Sequence, residues 1–445
     1  MSRDIHKKKH LSSFQLIILG FAGVILLGAI ILMLPVSSAE GVMTPFNQTL
    51  FTSTSAVCVT GLAVLDTGSY WSVFGQVVIL LLIQIGGLGV VTVAVSVFML
   101  SGRKISLMQR STMQNAISAH KVGGIVRLTK FILKGTLFVE MAGALALLPV
   151  FYHDFGRKGI WMAVFHSISA FCNAGFDILG TPTNPFPSIT AYAGNPIVNV
   201  VIMFLIIAGG IGFLTWEDIC INKIHFRKYH MQSKIILVTT AFLIVLPAIF
   251  FFFSDFTYLS VGKRLLASAF QAVTPRTAGF NTMDISKMTE VSKAMIIILM
   301  LVGGSPSSTA GGMKTTTFAV LILNAFATFR SQENVETFGR RIECSVIKNA
   351  STIAMMYCML FLCGGITISV YEGLPLLECL YEAASAVGTV GLTLGITPKL
   401  HIVSQFILII LMYLGRVGGL TLIYAVLSKK KKGNARLPLE KITVG

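Results

Sequence analysis

One short stretch, small and apolar and closing on glycine, is written four times along the chain. Its copies are Ser55-Ala56-Val57-Cys58-Val59-Thr60-Gly61-Leu62, Ser169-Ala170-Phe171-Cys172-Asn173-Ala174-Gly175-Phe176, Ala272-Val273-Thr274-Pro275-Arg276-Thr277-Ala278-Gly279-Phe280 and Ser385-Ala386-Val387-Gly388-Thr389-Val390-Gly391-Leu392. The glycines at 61, 175, 279 and 391 recur roughly every hundred residues, so the repeat is a structural unit and constrains the fold before anything else does.

Composition says which solvent that unit meets. The chain is 54% hydrophobic and 12% charged, with a mean hydropathy of +0.80. A soluble domain carries about 25% charged residues. A water-facing surface cannot be built from this composition, which points to one body in the lipid bilayer rather than several soluble domains.

The net charge of +17 would suggest nucleic acid in a soluble chain, but here its placement gives another reason. Basic residues gather in five segments: Arg3 and Lys7 to Lys9; Arg103 to Lys130; Lys223 to Lys234; Arg330 to Lys348; and Lys429 to Lys441. The positive-inside rule puts all five in the cytoplasm, termini included. Nucleic acid is not expected as a partner. The seven cysteines, Cys58, Cys172, Cys220, Cys344, Cys358, Cys363 and Cys379, form no CxxC pair and no Cys/His cluster, and read as reduced packing residues.

A span needs about 20 apolar residues. The predicted organisation is an all-α membrane protein of four units, each a span, a half-helix, a glycine stretch and a second span. The units cover 14–99, 128–216, 235–328 and 345–428. The cytoplasmic pieces are 1–13, 100–127, 217–234, 329–344 and 429–445. First spans are expected over Phe14–Leu34, Ile132–Val150 (ending near Pro149), Ile235–Phe253 and Ile347–Val370. The half-helices are Thr44–Val57, Ile160–Phe171, Lys263–Val273 and Pro375–Val387. Second spans are Val73–Met99, Ile197–Leu214, a long run from Lys293 to Thr328, and Val403–Leu427. That makes eight crossings, an even number, in keeping with both ends inside.

The third of these second spans is too long to be one helix. At 1.5 Å per residue it would reach about 54 Å, against a hydrocarbon core of about 30 Å. Its middle reads Gly303-Gly304-Ser305-Pro306-Ser307-Ser308-Thr309-Ala310-Gly311-Gly312-Met313-Lys314-Thr315. Glycine and proline in that density break a helix, and irregular backbone at membrane depth is tolerated only inside protein or beside water.

A half-helix that ends in mid-membrane points the negative end of its dipole inward. The strand that leaves it has carbonyls with no helical partners, free to replace an ion's hydration shell. Such a strand needs small residues and glycine where four backbones approach one axis. The triplets are Val59-Thr60-Gly61, Asn173-Ala174-Gly175, Thr277-Ala278-Gly279 and Thr389-Val390-Gly391. None contains a carboxylate. Neutral oxygens suit a large monovalent cation better than a divalent one.

With these motifs in place the chain resembles the Trk/Ktr/HKT superfamily of cation transporters, and within it the bacterial KtrB-type membrane subunits. The resemblance covers residues 14–427. It implies four M1–P–M2 repeats around a pseudo-four-fold pore, the triplets as a potassium filter, and 303–315 as an intramembrane gate. Glycine at all four filter positions, Gly61 included, implies potassium rather than sodium. The resemblance further implies a homodimer in the cell membrane, a KtrA-like cytosolic ring of RCK type that binds ATP or ADP, and sodium stimulation of uptake. No nucleotide is expected on this chain itself: Gly312-Met313-Lys314-Thr315 lacks the adjacent Gly-Lys pair and the preceding strand of a phosphate loop.

Arg416 lies inside the last span, where a charge is expensive and functional by default. The resemblance makes it a basic residue facing the pore below the filter; the alternative is an ion pair with Glu140. Arg276 either braces the third glycine stretch or anchors its loop. Gln84 to Gly89 and Gly209 to Gly212 read as close helix contacts. Asp66, Asp177 and Asp284 read as outer-mouth or loop acids. Two other function classes compete with the pore. A secondary transporter with a closed midplane site, obligatorily coupling sodium and potassium, is the nearer. An intramembrane enzyme lacks any HExxH motif, Ser/His pair or aspartate pair in the spans.

Overall fold

The computed structural model describes residues 12–100, 107–117, 124–419 and 421. The basic N-terminus, the basic tail and parts of the first connection lie outside these residues.

The described chain is helical apart from one two-residue hairpin. In order the helices are α1 (Ser13–Met33), α2 (Phe46–Cys58), α3 (Val73–Leu88), α4 (Val90–Leu100), α5 (Leu107–Ile117), α6 (Ile125–Phe155), α7 (Lys158–Phe171) and α8 (Pro196–Gly210). Then follow α9 (Phe213–Asn222), α10 (Met231–Ser254), α11 (Val261–Val273), α12 (Glu290–Leu301), α13 (Thr315–Phe329), α14 (Cys344–Glu372), α15 (Leu376–Gly388) and α16 (Ile402–Val417). The hairpin pairs Glu336–Thr337 with Arg340–Arg341 ahead of α14.

Local chemistry starts these helices where they start. Ser12 and Gln15 form a reciprocal capping box at α1. Ser72, Asn195 and Thr289 cap α3, α8 and α12 with side-chain oxygens. Pro45 and Pro375 immediately precede α2 and α15, where a missing N–H costs nothing.

The body is organised from the short helices outward. α2, α7, α11 and α15 carry wholly buried side chains such as Phe51, Phe165, Phe270 and Tyr381. The long helices α1, α6, α10 and α14 each pack most closely on the short helix that follows. Contacts between neighbouring groups run in a cycle: α3 packs on α7, α8 on α11, α12 on α15, and α16 returns to α2. Outward faces carry Leu27, Phe138, Leu145, Phe253 and Val370, all more than half exposed, while Thr54, Ser55, Ser169, Thr277 and Ser385 are buried. Apolar outside and polar inside is the distribution of a protein solvated by lipid.

Several expectations are revised. α6 does not end near Pro149 but runs through it to Phe155, as α10 runs through Pro247. Membrane helices tolerate such prolines because neighbouring groups satisfy the freed carbonyl. Two of the second spans bend: the axis turns by 100° between α3 and α4 and by 98° between α8 and α9. The corners are Gly89 and Gly212, at φ 86° and 91°, and α16 ends on Gly418 at φ 85°. Only glycine adopts this backbone freely. Four helices, α1, α6, α10 and α14, are by themselves long and apolar enough to cross a membrane, or six spans if each bent pair counts as one. By length alone the described residues therefore do not reach the expected eight.

Candidate functional site

The four glycine stretches meet at the centre of this cycle. Each short helix is followed by a residue in the left-handed region: Val59, Asn173, Thr277 and Thr389, at φ 58°, 58°, 73° and 52°. Two residues on, Gly61, Gly175, Gly279 and Gly391 are again at positive φ, from 68° to 93°. Three of the turns are the same Schellman closure. Thr60 N–H reaches Ser55 O at 2.8 Å, Ala174 reaches Ser169 at 2.8 Å and Val390 reaches Ser385 at 2.8 Å. The third stretch carries an extra residue around Pro275 and closes differently, Ala278 N–H to Thr274 O at 3.0 Å.

The glycines are required by their neighbours. A Cβ on Gly61 would land on the carbonyl oxygen of Ala174. One on Gly175 would meet Ala278 O, one on Gly279 would meet Val390 O, and one on Gly391 would land on Thr60 O. Each glycine thus faces the carbonyl that precedes the glycine of the next stretch, and the fourth closes onto the first.

Hydroxyls from the last turn of each short helix hold the strands. Ser55 Oγ accepts from Gly61 N–H at 3.1 Å and Ser385 Oγ from Gly391 N–H at 3.0 Å. Ser169 Oγ donates to Phe176 O at 2.7 Å, and Thr274 Oγ1 to Phe280 O at 2.6 Å. The fourth strand has a further brace. Buried Glu382 on α15 accepts from Thr393 Oγ1 (2.5 Å), Leu394 N–H (3.1 Å) and Thr397 Oγ1 (2.6 Å). These five residues were not singled out from sequence. Ser55, Ser169 and Ser385 stand at the same distance from their glycines, which was the available signal; Glu382 has no counterpart to reveal it.

Behind the ring, Gly86, Gly209 and Gly415 press on the carbonyls of Val57, Phe171 and Val387. The readings of Gly86, Gly87, Gly209 and Gly212 as close contacts hold, a Cβ on Gly212 meeting Pro306 O, while Gly89 and Gly212 are corners. Three of the four second helices end in one pattern, Gly86-Gly87-Leu88-Gly89, Gly209-Gly210-Ile211-Gly212 and Gly415-Arg416-Val417-Gly418. The third reads Gly303-Gly304-Ser305-Pro306, so proline stands at the corner and the irregular segment follows.

That segment, 302–314, lies between α12 and α13 and is folded under the ring. Gly303 N–H bonds Met313 O at 2.8 Å, and Ser305 Oγ meets Thr315 Oγ1 at 2.9 Å. Ser305 N–H reaches Gly210 O (2.9 Å) and Thr309 N–H reaches Gly209 O (3.2 Å). Thr309 Oγ1 donates to Phe171 O at 3.0 Å and accepts from Asn173 Nδ2 at 3.2 Å. Lys314 Nζ turns back onto Ala310 O at 2.8 Å. A Cβ on Gly311 or Gly312 would strike Thr389 or Gly388. On the segment's other side lies a cavity of about 590 Å³ whose lining includes Pro306, Ser307, Lys314, Arg341 and Arg416.

Arg416 does not form the alternative ion pair with Glu140. Its guanidinium donates to Thr309 O at 2.5 Å, to Gly87 O at 3.2 Å and to Gly86 O. It therefore ties the segment to the corner of α3. Glu140 instead accepts from Gln84 Nε2 at 3.2 Å beside the Cys172 thiol. Arg276 is buried and donates to Thr240 Oγ1 on α10 at 3.3 Å, behind the third stretch.

The outer acids differ among themselves. Asp66 is buried and accepts from Ser69 N–H (2.8 Å), Ser69 Oγ (2.6 Å) and Phe186 N–H (2.9 Å), joining the first stretch to the 180–196 loop. Asp177 accepts from Leu179 N–H at 3.2 Å. Asp284 is exposed, and the Ser286 hydroxyl followed by Lys287 holds its carboxyl below the usual range. Among the described residues the cysteines are free thiols; Cys58, Cys172 and Cys379 are buried and the other four exposed.

A family described as TrkH, cation transport protein, matches residues 13–434. A potassium/sodium uptake protein of Enterococcus hirae, NtpJ, is 38% identical over 98% of both chains. A Ktr system potassium uptake protein B of Bacillus subtilis is 37% identical over 97% of this chain and 96% of its own. The crystal structure of the potassium transporter TrkH from Vibrio parahaemolyticus superposes with a TM-score of 0.75, at 17% identity, over 96% of this chain and 87% of that one.

Proposed function

From the premise that this chain belongs to the TrkH family of cation transport proteins, an integral membrane transporter rather than an enzyme, we propose that it carries potassium through the glycine ring. The observation that carries this reading is the cyclic closure of Gly61 on Ala174 O, Gly175 on Ala278 O, Gly279 on Val390 O and Gly391 on Thr60 O. Four neutral backbones at one axis offer carbonyl oxygens and no carboxylate, which suits a large, weakly hydrated cation. In this reading the four groups are M1–P–M2 repeats around a pseudo-four-fold pore, with the division at 14–99, 128–216, 235–328 and 345–428. Val59 to Gly61, Asn173 to Gly175, Thr277 to Gly279 and Thr389 to Gly391 are the filter.

Segment 303–315 is the gate, and Arg416 is both its latch and a positive charge that raises the barrier below the filter. The pore lies in the cell membrane with both termini in the cytoplasm. The chain acts as a homodimer under a cytosolic RCK-type ring that binds ATP or ADP, in line with relatives named as Ktr system proteins. Sodium enters as a stimulating ion, in line with the name of the Enterococcus relative.

The test is rubidium flux into proteoliposomes with and without sodium. Rubidium uptake that potassium competes for supports a potassium pathway. Uptake that requires sodium turnover for turnover would replace it with the coupled transporter.

A further inference from the structure

Glu140 stands half-way along α6, a helix long and apolar enough to cross the bilayer, and is only 5% exposed. Among the described residues no lysine or arginine pairs with it, and the guanidinium of Arg416 is taken up by backbone carbonyls. An ionised carboxylate left alone at that depth is very costly to bury, and an ionisable residue kept there is a functional candidate by default. The glycine ring by itself makes no use of it.

Its neighbours account for it. Gln84 Nε2 donates to Glu140 Oε2 at 3.2 Å, and Cys172 Sγ lies 3.3 Å from Gln84 Oε1 and 3.9 Å from Glu140 Oε1. The three side chains thus form a triangle of contacts. A thiol has one proton to give. When Cys172 gives it along the shorter contact, to Gln84 Oε1, the contact with Glu140 needs a proton from the carboxyl. A protonated Glu140 closes the triangle: amide N–H to carboxyl oxygen, carboxyl O–H to sulfur, thiol S–H to amide oxygen. Each group then gives one bond and takes one. An ionised carboxylate would leave two acceptors facing a single thiol proton.

The triangle sits where two groups of helices meet. Gln84 is on α3, Glu140 on α6, and Cys172 follows α7 directly ahead of Asn173. Ser167 Oγ adds a second grip on the same turn of α6, donating to Glu140 O at 2.6 Å. Between α16 and α1 the residue in the place of Gln84, two before the packing glycine, is Tyr413, and its hydroxyl donates to Ile18 O at 2.7 Å. That bond joins neutral groups, as the bond at Glu140 does when the carboxyl keeps its proton.

We propose that Glu140 is a positioning residue for the second strand of the ring: an uncharged carboxylic acid, bonded to Gln84 and Cys172, that fixes the start of Asn173-Ala174-Gly175. The effect on transport rests on the reading of the ring as a potassium filter.

The test uses the full chain, in dodecyl maltoside, which has no ester carbonyl, and in proteoliposomes. Infrared spectra of the wild-type protein should show a carboxylic acid carbonyl stretch that Glu140→Gln removes. In flux, Glu140→Gln keeps the shape without a charge and should retain the wild-type half-saturating rubidium concentration. Glu140→Leu should raise that concentration about five-fold with little change in maximal rate, and sodium should compete more strongly. Gln84→Met leaves the carboxyl in place and should shift half-saturation in the same direction; it carries the flux test if Glu140→Leu does not purify as a single species. Identical carboxyl bands in wild type and Glu140→Gln overturn the protonated acid. Wild-type half-saturation in the leucine and methionine variants, or a glutamine variant as impaired as the leucine one, overturns the positioning role. Gly175→Ala is the control for the filter: if it leaves flux intact, the filter reading fails and the positioning role with it, whereas the carboxyl band is read without flux.

Discussion

Arg416 Nη1 donates to the backbone carbonyl of Thr309 at 2.5 Å, across 107 residues of sequence. The same guanidinium also bonds the carbonyls of Gly86 and Gly87, so one side chain of α16 clasps the irregular segment to the corner after α3. The other three units carry glycine, Gly87, Gly210 and Gly304, where α16 carries Arg416, so only one unit can supply the clasp.

Replacing Arg416 with glutamine removes the clasp and the charge together. Rubidium uptake should rise several-fold without any cytosolic partner. Arg416→Lys keeps the charge but lacks the planar fork that reaches several carbonyls at once. A lysine variant as active as the glutamine variant assigns the effect to the lost clasp. A lysine variant that behaves as wild type assigns it to charge.

Gly175→Ala forces a methyl group against Ala278 O from a residue at φ 68°. The backbone penalty alone is on the order of 1 kcal/mol. Rubidium flux should be lost, while the melting temperature falls by only a few degrees. Normal flux in a correctly folded variant would contradict the close approach of the second and third stretches.

Shortening segment 305–314 takes away Thr309 and the bonds that hold it to Gly209, Phe171 and Asn173. Proteoliposome flux should increase, and further substitution of Arg416 should then add little, since both changes release the same contact. Flux that disappears from a folded variant would show the segment to be part of the pathway's wall.

Glu382→Gln leaves two threonine hydroxyls and an N–H competing for one amide oxygen. A buried acceptor lost from such a network costs on the order of 1–3 kcal/mol. The melting temperature should drop, and the fourth strand should loosen enough to raise the half-saturating rubidium concentration. Thr393→Val, which removes one bond, should give a smaller shift in the same direction.

The ring was legible in the sequence because repetition turned a weak glycine signal into four matched ones. The short helices were legible from Pro45 and Pro375 and from runs too brief to cross a bilayer. The corners at Gly89 and Gly212 were not, since Val90 to Leu100 stays apolar past the bend and hydropathy is blind to φ. The spacing that would have exposed them is Gly86 to Gly89, Gly209 to Gly212 and Gly415 to Gly418. Pro149 misled in the opposite direction, because a rule learned from water-soluble helices weakens where neighbours supply the missing bond. Arg416 was picked out as costly, but the backbone carbonyls that receive it belong to distant segments and carry no mark in sequence.

The two glycine corners have a consequence for how the proposed pathway is shut. Chain that turns aside at Gly89 and Gly212 leaves segment 302–314 as the irregular piece folded under the ring. On the proposed reading of that segment as the gate, closure falls to a single leaf hinged between α12 and α13 rather than to an iris of four helices. A leaf held by a handful of hydrogen bonds, each about 0.5–1.5 kcal/mol net, sits a few kcal/mol from open. A regulator needs to pull on one quarter of the molecule, and the other three can stay rigid enough to keep the ring in register.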